Sequence, residues 1–212
     1  MPILHGAHLS PFVRKVRVAL AEKSIEYESI PVVPFNQTDE YLAKSPLGKI
    51  PCWEDGDFIL PDSSCILAYL ERIHPSPALY PSDPKEYGRT LWYEEYSDSK
   101  LIETIGPVFF ERFIKKNVFQ QETDEERVAN QIKAAEPLFD YLNGEIGDRD
   151  VLVGKHFTVA DIAIGSVFAN FEHAGERVDA SRWPQLAAYV DRIHARPSYK
   201  QILEEEKASV TA

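Results

Sequence analysis

Leu47-Gly48-Lys49-Ile50-Pro51-Cys52-Trp53-Glu54-Asp55-Gly56-Asp57-Phe58-Ile59-Leu60-Pro61-Asp62-Ser63-Ser64-Cys65-Ile66-Leu67-Ala68-Tyr69-Leu70 is the stretch from which the rest of the chain can be organised. It reads as strand, turn, strand, helix start. The apolar runs Ile50–Trp53 and Phe58–Leu60 flank Glu54-Asp55-Gly56-Asp57, turn chemistry built around a glycine free to take positive φ, so the two strands pair antiparallel. Pro61 stops the second strand. Asp62 or Ser63 then caps the open N–H groups of a helix whose Ile66, Leu67, Leu70 and Ile73 share one face. An acidic residue, a hydroxyl and a bare helix end thus coincide. A ligand carboxylate can bind at that helix end, where the dipole favours negative charge, while Asp62 can take an ammonium. The combination suits the zwitterionic end of an amino acid. Pro51 cannot donate to a ladder, so it needs an edge position or a special role. A cis Ile50-Pro51 bond, which turns neighbouring backbone groups toward a ligand, is one such role and an ordinary trans proline at a strand edge is the other.

The bulk properties set limits around this stretch. A chain of 212 residues, 44% of them hydrophobic, can form one large domain or two small ones with a real core. Asp and Glu number 34 against 23 Lys and Arg, a formal charge of -11, which repels phosphate backbones and argues against nucleic acid or an anionic membrane as main partner. Cys52 and Cys65 alone indicate neither a disulfide framework nor a cysteine zinc site, and a reducing compartment is the simpler assumption. His5, His8 and Pro11 interrupt what a signal peptide would keep apolar, and no run approaches a membrane span, so a cytoplasmic location is expected. Asn36-Gln37-Thr38 matches a glycosylation acceptor only by pattern.

Taken in order, Pro2-Ile3-Leu4-His5 is a first strand. Ser10 caps a helix with Pro11 at its first position, carrying Val13, Val16, Val18, Ala19 and Leu20 inward while Arg14, Lys15 and Arg17 face water. That helix ends near Lys23-Ser24. Ile25–Ile30 alternates as a second strand, parallel to the first through a right-handed crossover. Asp39–Lys44 is one or two helical turns ending at Ser45-Pro46. Prolines at 75, 77, 81 and 84 mark a boundary.

Everything beyond the boundary is helical in character. Residues 85 to about 116 form a helix that Gly106-Pro107 bends or divides. The next opens at Thr123-Asp124-Glu125-Glu126 and runs to Leu142 before Asn143-Gly144, with a kink at Pro137. Thr158 and Asp161 form a capping box at the start of a helix apolar on most sides, which places that helix at the centre of its domain and makes Asp161 structural. Two closing helices follow, Trp183–Ala195 and Pro197 to about Glu206.

Catalytic motifs of other classes are missing. There is no Gly-x-Ser-x-Gly, no His-Glu-x-x-His, no dinucleotide fingerprint and no Walker A loop, and no metal site is indicated. Ser10 is the candidate hydroxyl. A thiolate at a helix N-terminus that accepts a hydroxyl hydrogen bond has a lowered pKa, so Ser10 can stabilise a bound thiolate without being a nucleophile. It is equally sufficient as an N-cap alone. Trp92, Tyr93, Tyr96, Phe109, Phe110 and Phe113 can line an apolar pocket or fill a core.

These residues together resemble a cytosolic glutathione transferase of the serine type. Ser10-Pro11-Phe12-Val13-Arg14-Lys15-Val16-Arg17-Val18-Ala19-Leu20 is similar to the first helix of the serine classes, with a bacterial or plant tau-like pattern. Ser45–Pro51 followed by Asp62-Ser63 resembles the glutathione-site signature. Gly154–Asp161 and Arg196-Pro197-Ser198-Tyr199 resemble helical-domain signatures, so the likeness spans nearly the whole chain.

The resemblance implies a thioredoxin-like β-α-β-α-β-β-α domain over 1–78, a linker over 79–88 and an all-helical domain over 89–212 contributing the electrophile pocket. It implies glutathione as co-substrate, no metal, a small hydrophobic electrophile, a homodimer, and a detoxifying conjugation that forms a thioether. Ser10 would stabilise the glutathione thiolate. Ile50, before a cis Pro51, would bond the cysteinyl backbone, Asp62 and Ser63 would hold the γ-glutamyl end, and Lys49 would lie beside the glycyl end. Phe12, Phe109 and Phe113 would border the electrophile. Glutathione-dependent peroxide reduction and a non-catalytic binding module are the alternatives. Asp62 stands where the family usually has Glu. Ser10 stands where cysteine-type members carry Cys, which disfavours thiol-disulfide exchange, and the absence of a Ser-Ser-Cys run disfavours the isomerase branch.

Overall fold

In a computed structural model, which describes residues 1–35 and 37–211, the hairpin at 52–61 lies at one edge of a four-stranded sheet. Asn36 of the glycosylation pattern falls outside the described residues. Strand β1 (Ile3–His5) leads through helix α1 (Pro11–Glu22) to β2 (Glu28–Ile30), parallel to it. Helix α2 (Asp39–Lys44) precedes the antiparallel pair β3 (Cys52–Asp55) and β4 (Phe58–Pro61), which turns at Gly56 with φ 64°. Helix α3 (Ser63–Ile73) follows, and the sheet order is β2-β1-β3-β4. This is the thioredoxin-like arrangement expected.

Three details differ from the pattern-based reading. β3 begins at Cys52 rather than Ile50, because Pro51 has no N–H to offer a ladder. β2 is confined to three residues. Ile73 is 42% exposed, off the face that buries Ile66, Leu67 and Leu70. The core gathers Leu4, Val16 and Leu20 against Trp53, Ile66 and Leu70.

The largest correction concerns α1. Arg14, Lys15 and Arg17, expected in water, are buried. The reason is the last helix, α9 (Pro197–Thr211), which packs along α1 and brings Glu205 and Glu206 to meet the cations. Arg14 Nη2 lies 2.7 Å from Glu206 Oε2, and both side chains are wholly buried. Arg17 pairs with Glu205, and Lys15 Nζ donates to Ser64 Oγ on α3 at 3.3 Å. The chain therefore divides into Met1–Tyr80 together with Pro197–Ala212, and Pro81–Arg196. The expectation of one helical domain over 89–212 differs from this division at α9, because no local pattern tells that helix which face it will cover.

The second unit is all-helical. Helix α4 (Pro84–Tyr96) passes through a π-helical turn (Ser97–Leu101) into α5 (Ile102–Phe109), then into a second π turn (Phe110–Lys115). Pro107 lies inside α5, so the expected irregularity takes the form of widened turns on either side of it. Helix α6 (Glu125–Ile146) is continuous through Pro137 and through Asn143-Gly144, ending at Gly147 with φ 48°. Helix α7 (Val159–His173) is buried nearly throughout, and α8 (Pro184–His194) packs beside it. Phe139 anchors this core edge-on to Phe171 and Trp183.

Asp161 closes the capping box at the start of α7. Its carboxylate accepts from the Leu152 and Thr158 N–H groups, at 2.9 Å each, and from the Tyr189 hydroxyl at 2.9 Å. Burial raises its pKa while these donors oppose the rise. The residue is structural.

Candidate functional site

The register of the sheet draws the candidate residues of the first unit together. His5 at the end of β1 pairs with Cys52 at the start of β3, and Cys52 pairs with Pro61 at the end of β4. These three residues form one row across the sheet. Just beyond the row lie the loop from Gly6 to Ser10, the Ile50-Pro51 dipeptide and the Asp62-Ser63 helix start. Gly6, at φ 154°, lets the first loop pass closely, since a Cβ there would sit 2.4 Å from Val13 Cγ2 and 3.5 Å from Ile50 Cβ.

Ser10 caps α1, its Oγ accepting from the Val13 N–H at 3.4 Å, while the Arg14 N–H bonds its carbonyl at 2.9 Å. The cap uses the hydroxyl as acceptor, which leaves the O–H hydrogen able to donate to a ligand anion. His8, two residues earlier, bonds Ser29 Oγ at 2.9 Å. Burial and then the Arg17 guanidinium lower its pKa, so it is neutral at pH 7 and adds no cation here. Phe12 is half-buried in the first turn of α1.

Ile50 is buried and its bond to Pro51 is cis. The Pro51 carbonyl accepts from the Asp62 N–H at 3.3 Å, which ties these two segments directly. Asp62 caps α3: its Oδ1 accepts from Ser64 and Cys65 N–H groups at 3.0 and 3.1 Å. The residue is exposed and adopts φ 80°, a conformation rare outside glycine. Ser63 is buried at the first helical position, and Lys49 is exposed. Neither Cys52, buried, nor Cys65, exposed, is in a disulfide. Burial pushes the Cys52 thiol up to about 11, so it is inert as a nucleophile at neutral pH.

Phe109 and Phe113 belong to the second unit. Their rings stack at 4.9 Å with 9° between planes, Phe109 buried and Phe113 half-buried. Among the described residues, no group of three or more His, Cys, Asp or Glu can hold a metal ion, and no helix is long and apolar enough to cross a membrane. The pattern-based reading missed the ionic contact behind Ser10, although the basic run Arg14-Lys15-Val16-Arg17 and the acidic run Glu204-Glu205-Glu206 were both visible. It also missed two hydroxyls, Tyr41 and Ser45, that sit beneath the Lys49–Ile50 peptide.

Residues 4–78 match the glutathione S-transferase N-terminal domain and residues 125–192 the C-terminal domain of the same family. The uncharacterized GST-like protein YibF of Escherichia coli is 30% identical over 200 residues, covering 92% of this chain and 95% of its own. A crystal structure of a glutathione S-transferase from Methylobacterium radiotolerans, in complex with glutathione sulfonate, is 33% identical with a TM-score of 0.77, covering 95% of this chain and 94% of its own. A theta-class enzyme from Xanthomonas axonopodis with glutathione bound is 26% identical, with a TM-score of 0.83 and coverage of 95% and 96%. The chain belongs to the glutathione S-transferase superfamily.

Proposed function

We propose that this protein is a serine-type glutathione transferase that joins the glutathione sulfur to small hydrophobic electrophiles, forming a thioether. The observation carrying this reading is the row His5–Cys52–Pro61, because it sets the Ser10 hydroxyl, the Ile50-Pro51 backbone and the Asp62-Ser63 helix start just past one edge of one sheet. In this reading Ser10 donates to the thiolate and the α1 N-terminus adds its positive dipole end. Ile50 bonds the cysteinyl backbone. Asp62, whose Oδ1 serves the cap, offers the remaining oxygen to the γ-glutamyl ammonium, and Ser63 with the α3 N-terminus receives the γ-glutamyl carboxylate. Lys49, exposed, supplies charge for the glycyl end. Phe12, in the first turn of α1, borders the electrophile. Rate enhancement comes from thiolate stabilisation and positioning rather than covalent catalysis. The working form is a homodimer in the cytoplasm that engages neither nucleic acid nor membrane, which sedimentation and cell fractionation test directly.

The deciding experiment measures conjugation against pH for wild type and Ser10→Ala, with halide, epoxide, unsaturated-carbonyl and peroxide substrates. Loss of the hydroxyl lowers kcat/KM by about 100-fold and moves the pH-rate limb upward, since a thiolate without its donor ionises at higher pH. The fold loses only about 1 kcal/mol, the cost of an N-cap. An unchanged pH-rate limb removes Ser10 from the mechanism. Tight glutathione binding with no turnover over the whole panel removes the catalytic reading, and turnover of peroxides alone replaces conjugation with peroxide reduction.

A further inference from the structure

Two buried hydroxyls converge on the carbonyl oxygen that precedes Ile50. The Tyr41 phenol, on α2, donates to Lys49 O at 2.8 Å, and Ser45 Oγ, at the C-cap of the same helix, donates to that oxygen at 2.8 Å. Tyr41 is 6% exposed and Ser45 1%. Both lone pairs of the carbonyl are therefore used from the protein interior. Ser45 is itself held on two further sides: its N–H donates to Tyr41 O at 2.8 Å and its carbonyl accepts from the Gly48 N–H at 2.8 Å, closing a turn in which Gly48 takes φ 62°.

A planar trans peptide points its C=O and the following N–H in opposite directions. The Lys49–Ile50 bond is not among the cis bonds, so fixing the Lys49 carbonyl inward fixes the Ile50 N–H away from the two hydroxyls. The Pro51 carbonyl is fixed as well, by the Asp62 N–H. The Ile50-Pro51 dipeptide therefore stands between two pinned carbonyls, those of Lys49 and Pro51. Without the two hydroxyls the inward Lys49 carbonyl loses its donors, and the peptide is free to turn that oxygen toward water, so what the hydroxyls add is direction.

We propose that Tyr41 and Ser45 are positioning residues for the ligand backbone: together they aim the Ile50 N–H as a preset donor for the extended backbone of a γ-glutamyl tripeptide. This rests on the glutathione reading above. Burial pushes the Tyr41 phenol up to about 12, so it remains a donor throughout the working pH range. Neither residue touches the ligand in this role. Their effect falls on glutathione affinity, with the sulfur chemistry untouched.

The test compares wild type with Tyr41→Phe, Ser45→Ala and the double variant. Calorimetry gives the glutathione Kd, steady-state kinetics with an aryl halide give kcat and both KM values, and thermal melts report folding. The amide shift of Ile50 in the ligand-free protein reports the peptide directly. Each single variant is expected to raise Kd and KM for glutathione about threefold to tenfold, the double variant more, with kcat at saturation and the halide KM changed by less than about twofold. The Ile50 amide shift moves in each. Equal Kd values with an unmoved Ile50 amide overturn the positioning role, even if the melting temperature falls, since a purely structural role gives that pattern. Should one variant fail to fold, the other carries the comparison. A wild type that binds no glutathione overturns the functional reading itself and the positioning role with it, an outcome distinct from equal affinities.

Discussion

Asp62 caps α3, and in the proposed function the same side chain also holds the ligand. Its backbone sits at φ 80°, where an L residue is strained, yet glycine there would lose the carboxylate that receives the Ser64 and Cys65 N–H groups. The two roles are separable by substitution. Asp62→Asn keeps an oxygen for the cap and removes the charge, so melting is expected to stay within about 0.5 kcal/mol of wild type while KM for glutathione rises about tenfold. Asp62→Ala loses both, adding about 1 kcal/mol of destabilisation. Equal glutathione KM values for Asn and wild type would show that the carboxylate serves the helix alone. This residue was legible in the sequence because every cue was local: Pro61 ended the strand, and an acidic residue and a hydroxyl opened an apolar helix. Tyr41 and Ser45 were not, because their partner is a backbone carbonyl that no residue pattern names.

At the scale of the element, α1 reads as amphipathic and its cations as solvent-facing. That reading follows correctly from periodicity, and it fails because α9 returns from the far end of the chain to cover the polar side. Arg14 and Glu206 are 192 positions apart and form a buried two-pronged pair, with Arg14 Nε 2.9 Å from Oε1 and Nη2 2.7 Å from Oε2. Taking both charges from water costs several kcal/mol per ion, which a close pair roughly offsets, so the pair contributes specificity of docking more than net stability. Removing one partner is different. Glu206→Ala leaves a guanidinium buried beside Arg17 and is expected to destabilise the first unit by about 3 to 5 kcal/mol in denaturant titrations. The double replacement Arg14→Met with Glu206→Leu returns to within about 1 kcal/mol of wild type. Were the double variant as unstable as the single one, the pair would be contributing net stability. By contrast the Thr158–Asp161 box was legible, since its partners lie within one turn.

Across the whole molecule, groups that burial holds protonated shape the response to alkaline pH. The Tyr41 phenol is pushed up to about 12 by burial and then by Cys52, and the Cys52 thiol to about 11 by burial. In the second unit Tyr96 is raised to about 12, again by burial, and Tyr93 is raised by burial and by its hydrogen bond to Glu145. In the unfolded chain a tyrosine titrates near 10 and a cysteine near 8.5. Each of these groups therefore releases its proton earlier unfolded than folded. Stability is full below the unfolded pKa and falls as pH rises toward the folded one, beginning near pH 8.5 for Cys52 and near pH 10 for the tyrosines. Urea midpoints should hold level from pH 7 to about 8.5 and then decline steadily, with the steepest loss above pH 10. Trp53 reports the first unit, and Trp92 and Trp183 the second, so fluorescence of single-tryptophan variants can follow the two declines separately. Tyr41→Phe should flatten the first unit's fall above pH 10 while leaving the second unit's fall in place, and Tyr93→Phe with Tyr96→Phe should do the reverse. Midpoints that stay level to pH 11.5 in the wild type would mean that the hydroxyls reach solvent and ionise as freely folded as unfolded, and the inward hold on the Lys49 carbonyl would weaken with them.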